Sequence, residues 1–111
     1  MKILVIGDSC IDQYHYGTCK RVNPEAPVPI LDYKTTVIKE GMCRNVAANL
    51  SMFGVDVMVI THQETIVKTR FIDERSNQHI LRVDQEFEIN PYVVHPDDLK
   101  GHDAIVISDY D

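Results

Sequence analysis

The chain has 111 residues, enough for one domain, and its 44% hydrophobic and 25% charged content argues against disorder. A net charge of -6, with 11 scattered basic residues, supplies no cationic groove for a phosphate backbone, so nucleic acid is not an expected partner. Apolar runs such as "ILVIG" and "AIVI" are far shorter than a bilayer requires, so no membrane role is expected.

In chain order, residues 2–7, "KILVIG", form a short apolar run rich in β-branched residues, which predicts a buried parallel strand. Because this strand starts at the second residue, no secretory signal is expected. Cys10, Cys19 and Cys43 contain no CxxC pair, and an odd count reads as reduced cytosolic thiols. Cys10, His15 and Cys19 match no standard zinc spacing, so no metal site is expected. Tyr14 and Tyr16 alternate and stop at Gly17, which predicts a short exposed strand. "VPILDY" and "TTVIKE" predict two further short strands around residues 32–34.

Residues 43–53, "CRNVAANLSMF", carry the strongest helical signal. Val46, Ala47, Leu50 and Phe53 fall on one face, and Gly54 supplies the stop. Residues 55–60, "VDVMVI", predict a second buried strand, so strand, helix and strand together point to an α/β sheet. The "THQE" that follows is too short for a parallel crossover and long enough for a hairpin. Residues 65–72 and 78–84 are then expected as antiparallel strands joined by "DERSN". "HPDDLKG" predicts a turn or two of helix begun by Pro96 and closed by Gly101, and residues 103–110 predict a last buried strand. One helix cannot cover both faces of such a sheet, so an exposed face is expected.

Several stretches together resemble the N-terminal part of the PfkB (ribokinase-like) carbohydrate kinases. They are "VIGDSCIDQYHYGTCKRVNPEAPVPIL", "GMCRNVAANLSMFG", "VKTRFI", "LRVD" and "VISDYD". Within that family they are most similar to the heptose-7-phosphate kinase branch, which makes lipopolysaccharide precursors. The resemblance implies a partial ribokinase-like parallel sheet with a small β-strand lid, its strands at about residues 14–38. The whole of 1–111 then reads as a truncated N-terminal portion of one kinase domain. The proline-rich "PEAPVP" falls beside the lid, where fixed φ angles lower the entropy lost when a flap closes on a ligand.

The resemblance also assigns candidate sugar-binding residues. Asp12, and less directly Asp8, follow the first strand, where carboxylates can accept hydrogen bonds from vicinal hydroxyls. Read without the family, both are loop residues capping local N–H groups. Gly41 and Asn45 match the family's "GGxxNxA" motif, but its second glycine is Met42 here and Arg44 replaces a small residue. Met42 brings a Cβ to a place that normally has none. Lys68 and Arg70 share one strand face and suit a sugar's phosphate. Arg82 and Asp84 match the family and suit a mutual pair, and Asp109 matches a corner near the substrate.

In the complete family enzyme, ATP and Mg2+ are held by the C-terminal half, where a "GAGD"-type loop supplies the base. No such loop occurs in this sequence, so the chain alone is expected to bind neither and to carry no catalytic base. The family also has an α/β unit where "THQE" stands, so an internal segment is expected to be absent. Three functions remain: a sugar kinase part acting on a heptose 7-phosphate, a non-catalytic sugar-phosphate-binding or interaction module, and an inactive remnant. The expected partners are a sugar phosphate and either a second copy or a complementary C-terminal fragment.

Overall fold

The computed structural model describes residues 1–110. In chain order the elements are β1 (Lys2–Gly7), β2 (Ser9–Val22), β3 (Pro29–Met42), α1 (Cys43–Ser51), β4 (Asp56–Ile60), β5 (Val67–Asp73), β6 (Gln78–Gln85), a 3-10 turn (Pro96–Leu99) and β7 (Ala104–Ser108). They form two sheets. The body is β4-β1-β7, all parallel, and the lid is β3-β2-β5-β6. In the lid β2 runs antiparallel to β3 and parallel to β5, and β5 and β6 form the expected antiparallel pair. The extents of 59 × 32 × 17 Å reflect the long lid strands projecting from the body.

Helix α1 covers one face of the body because its apolar side meets the β-branched row beneath it. Ile3, Val5, Cys43 and Ala47 form the buried cluster, with Val46, Leu50, Val57, Val59 and Val106 packed around it. The helix ends at Ser51, short of Phe53, which is 82% exposed. Phe53 therefore does not join the helical face expected for it. It sits in the tight turn where Phe53 and Gly54 donate to the Leu50 and Ser51 carbonyls, and Gly54 adopts φ 76°.

The opposite face of the body aligns Met58, Leu4 and Ile105 in one row and Ile60, Ile6 and Ile107 in the next. Met58, Ile105 and Ile107 are exposed there, as expected for a sheet with one helix. No helix among the described residues is long and apolar enough to cross a membrane.

Three expectations are corrected. The segments "VPILDY" and "TTVIKE" are one continuous strand, β3, because its whole length pairs with an equally long β2; irregularities in register at Tyr16/Gly17 and Cys19/Arg21 absorb the mismatch. The tyrosine strand is part of β2, and its tyrosines are half-buried. "THQE" makes no hairpin with β4, which among the described residues pairs with β1 alone. Instead residues 61–66 carry the chain from the body into the lid.

That link is tied down along its length. The Ser9 N–H donates to His62 Nε2 at 3.0 Å, which fixes the His62 tautomer with its proton on Nδ1, 2.7 Å from the Glu64 carbonyl. Thr61 Oγ1 donates to Ser9 Oγ at 2.9 Å, and the Ile11 N–H to the Ile66 carbonyl at 2.8 Å. Replacing His62 with Ala would leave the buried Ser9 N–H unpaired at a cost of about 1–3 kcal/mol. The H62A chain is therefore expected to unfold at lower urea, and an unchanged midpoint would refute this role for the imidazole.

Candidate functional site

Strands β1 and β7 approach so closely at their carboxyl ends that a Cβ on Gly7 would lie 1.8 Å from the Ser108 carbonyl oxygen. The Cys43 N–H donates to the Asp8 carbonyl at 2.9 Å, and the Cys43 thiol to the Gly7 carbonyl at 3.3 Å. The ends of β1 and β7 and the start of α1 thus converge. A hollow of about 480 Å3 opens there, lined among others by Asp8, Met42, Glu86, Tyr92, Asp109 and Tyr110. Asp8 accepts from the Tyr110 N–H at 3.4 Å. Burial, with Asp8 and Asp109 nearby, pushes the Tyr92 phenol above its ordinary value, so it remains a neutral donor.

The second group of candidates lies on one face of the lid. Cross-strand register places Lys39, Asp12, Lys68 and Asp84 in one row and Val37, Tyr14, Arg70 and Arg82 in the next. Asp12 Oδ1 takes a hydrogen bond from Arg70 Nη1 at 2.8 Å, with both side chains about four-fifths buried. Arg70 and Lys39 also lie over the Tyr14 ring, 5.2 and 5.6 Å from its centroid. Lys68 pairs with Glu86 at 2.6 Å and Asp84 at 3.8 Å. Arg82 donates twice to Asp84, both at 2.7 Å, so the pair suggested by "LRVD" forms.

Gly41 has a packing reason. A Cβ there would lie 2.4 Å from Cys10 Sγ and 2.6 Å from Asp12 Oδ2. Its missing side chain is the space that the Asp12 carboxylate occupies. Burial, followed by the neighbouring Asp12 charge, pushes the Cys10 thiol up to about 11, which makes it a poor nucleophile at neutral pH.

The candidates therefore fall into three places. Asp12, Gly41, Lys68 and Arg70 stand together on the lid. Asp8 and Asp109 share the hollow at the end of the body sheet. Asn45 is exposed on the first turn of α1 and does not line that hollow. Glu86 joins the first two groups, because it lines the hollow and pairs with Lys68. His15, imagined beside Cys10 as a metal ligand, lies on the other face of β2 and bonds Thr36 at 2.7 Å. Among the described residues no group of three or more His, Cys, Asp or Glu is placed to hold a metal ion.

Sequence reasoning did not reach Glu86, Tyr92, Tyr14 or Lys39. The first two sit in the irregular segment of residues 86–95, anchored where the Asn90 N–H and side-chain amide both donate to Glu64, at 3.2 and 2.9 Å. The alternation of Tyr14 with Asp12 on one strand face was the available signal for Tyr14.

The body sheet, its single helix and the strand lid define a ribokinase-like α/β fold. The crystal structure of a ribokinase candidate from Agrobacterium tumefaciens superposes with a TM-score of 0.53 at 16% identity, covering 96% of this chain and 44% of that one. No family model matches the chain.

Among curated proteins the chain is similar to Bifunctional protein HldE. It is 34% identical to that of a Nitratiruptor species over 99% of the chain and 31% of the relative. It is 37% identical to that of Helicobacter hepaticus over 77% and 23%, and 29% identical to that of Stutzerimonas stutzeri over 97% and 29%. The family resemblance read from the motifs stands on these matches, and the chain spans less than a third of these relatives' length. The Nitratiruptor alignment runs over 143 positions against the 111 residues here, so that relative carries additional residues inside the matched stretch.

Two outcomes test the lid geometry. Gly41→Ala forces Asp12 aside, and is expected to cost about 1–3 kcal/mol in urea unfolding by overpacking; a neutral result would mean that Asp12 has room to move. The hydrogen bonds from Arg82 hold the Asp84 carboxyl below its ordinary value. Its stabilisation is therefore complete above the unfolded-state value and disappears as pH falls through the folded one. The stability gap between wild type and Asp84→Asn is expected to close on acidification, and a gap independent of pH would contradict this pairing.

Proposed function

We propose that this chain is the sugar-holding part of a ribokinase-class carbohydrate kinase, and that its ligand is a heptose 7-phosphate. In the complete kinase, ATP with Mg2+ would phosphorylate the anomeric hydroxyl. The similarity to the HldE proteins and the lid-bearing fold support this reading. The observation that carries it is the Asp12 carboxylate, held by Arg70 over the bare Gly41 backbone and beside Lys68. A carboxylate so fixed is an acceptor for paired hydroxyls, and the adjacent cations suit a phosphate. Asp8 and Asp109 line the adjoining hollow.

The residues present do not fit a nucleotide. Gly7, Gly17 and Gly41 are pressed against neighbouring strands, while Gly54 and Gly101 sit at positive φ where helical turns close. None belongs to a loop that cradles phosphates at a helix start. A non-catalytic sugar-phosphate-binding role is therefore the second reading. A second copy or a complementary C-terminal fragment would cover the exposed Met58, Ile105 and Ile107.

Calorimetry without ATP tests the site. A heptose 7-phosphate is expected to release or absorb heat on binding, and Asp12→Asn to weaken that binding about tenfold or more, the loss of one charge-assisted contact. Ribose and inorganic phosphate, each offering half of the recognised chemistry, should bind more weakly than the whole. No binding at millimolar ligand would end the proposal.

A further inference from the structure

Met42 adopts φ 56° and ψ -130°. This is a backbone region that glycine enters freely and that costs a residue with a Cβ about 1–3 kcal/mol. It is the residue before α1, yet its side chain offers the helix no capping bond. It has a neighbour without any side chain, Gly41, and it lines the hollow that contains Asp8, Asp109 and Tyr110. The backbone at this corner thus has the geometry of a glycine, and the protein puts an unbranched thioether there.

A polyol entering the hollow would offer hydroxyl groups to Asp8 and Asp109. The Met42 thioether is at best a weak acceptor, and hydroxyls pressed against it would lose hydrogen bonds to water without replacement. We propose that Met42 is a specificity-determining residue: it bars the polyol from the inner part of the hollow and confines it to the lid face around Asp12. This rests on the sugar-phosphate reading above. It makes residue 42 the position at which affinity is set, because removing the side chain opens space beside acceptors already in place and relaxes the backbone.

The test uses the full chain in three forms: wild type, Met42→Ala and Met42→Gly. Alanine removes the thioether but keeps the Cβ in its strained conformation; glycine removes both. Calorimetry with a heptose 7-phosphate is expected to show binding about tenfold or more tighter in both variants. Thermal unfolding is expected to show a raised midpoint for Met42→Gly relative to Met42→Ala, which also reports that each variant folds. If wild type binds as tightly as both variants, or more tightly, Met42 bars nothing and the inference is overturned while the site itself survives. If none of the three binds at millimolar ligand, the inference and the sugar-phosphate reading fall together.

Discussion

The position of the lid depends on how the chain passes from β1 to β2. Only Asp8 separates the two strands, and the junction is held from two sides. The start of α1 holds it through the bond from the Cys43 N–H to the Asp8 carbonyl, and the link of residues 61–66 through His62, Thr61 and Ile66. Both sheets therefore share one fixed corner. Asp8 lines the body hollow and Asp12, further along β2, stands on one face of the lid, where a one-residue slip of β2 would turn it to the other face.

The lid's two candidate phosphate-binding cations are paired before any ligand arrives. Arg70 is committed to Asp12, and Lys68 to Glu86 and Asp84. An incoming phosphate would exchange carboxylate partners for phosphate oxygens, so its net gain is smaller than the bare count of cations suggests. The benefit lies in geometry. The cations are already oriented, and Tyr14 is packed beneath Arg70, so little side-chain entropy remains to be lost.

How much of this was legible in the sequence follows from where the determining contacts lie. β1, β4 and β7 were readable because buried parallel strands are continuous apolar runs, and α1 because its apolar residues repeat every three or four. The long β2–β3 ribbon was only partly readable. Both its faces mix polar and apolar residues, so it has no clean alternation, and its continuity comes from pairing between strands. Phe53 kept the helical period but lies past the point where the turn unwinds, which periodicity alone does not reveal. In the site, Asp12, Lys68 and Arg70 were nameable from motifs. Their mutual pairing was not, because 58 residues separate Asp12 from Arg70 and the register that joins them is a property of the folded sheet. Asn45 shows the converse: a motif match specifies a residue type and a place on the helix, while its exposure depends on what covers the helix.

The short passage from β4 to β5 has a consequence for motion. A long flexible connection would let the lid move against the body at small energetic cost. Here residues 61–66 span the gap, and their polar groups are spent on Ser9, Ile11 and, through Glu64, on Asn90 in the segment that borders the hollow. Swinging β5 and β6 away would break these bonds together and expose the buried His62 and Ile66. The far ends of β2 and β3 project beyond β5, and residues 23–28, with Pro24 and Pro27, form the tip of that ribbon. Register irregularities at Tyr16/Gly17 and Cys19/Arg21 interrupt this ribbon, and the β5–β6 turn holds it there through the Glu74 N–H to the Gly17 carbonyl and the Arg75 guanidinium to the Cys19 carbonyl.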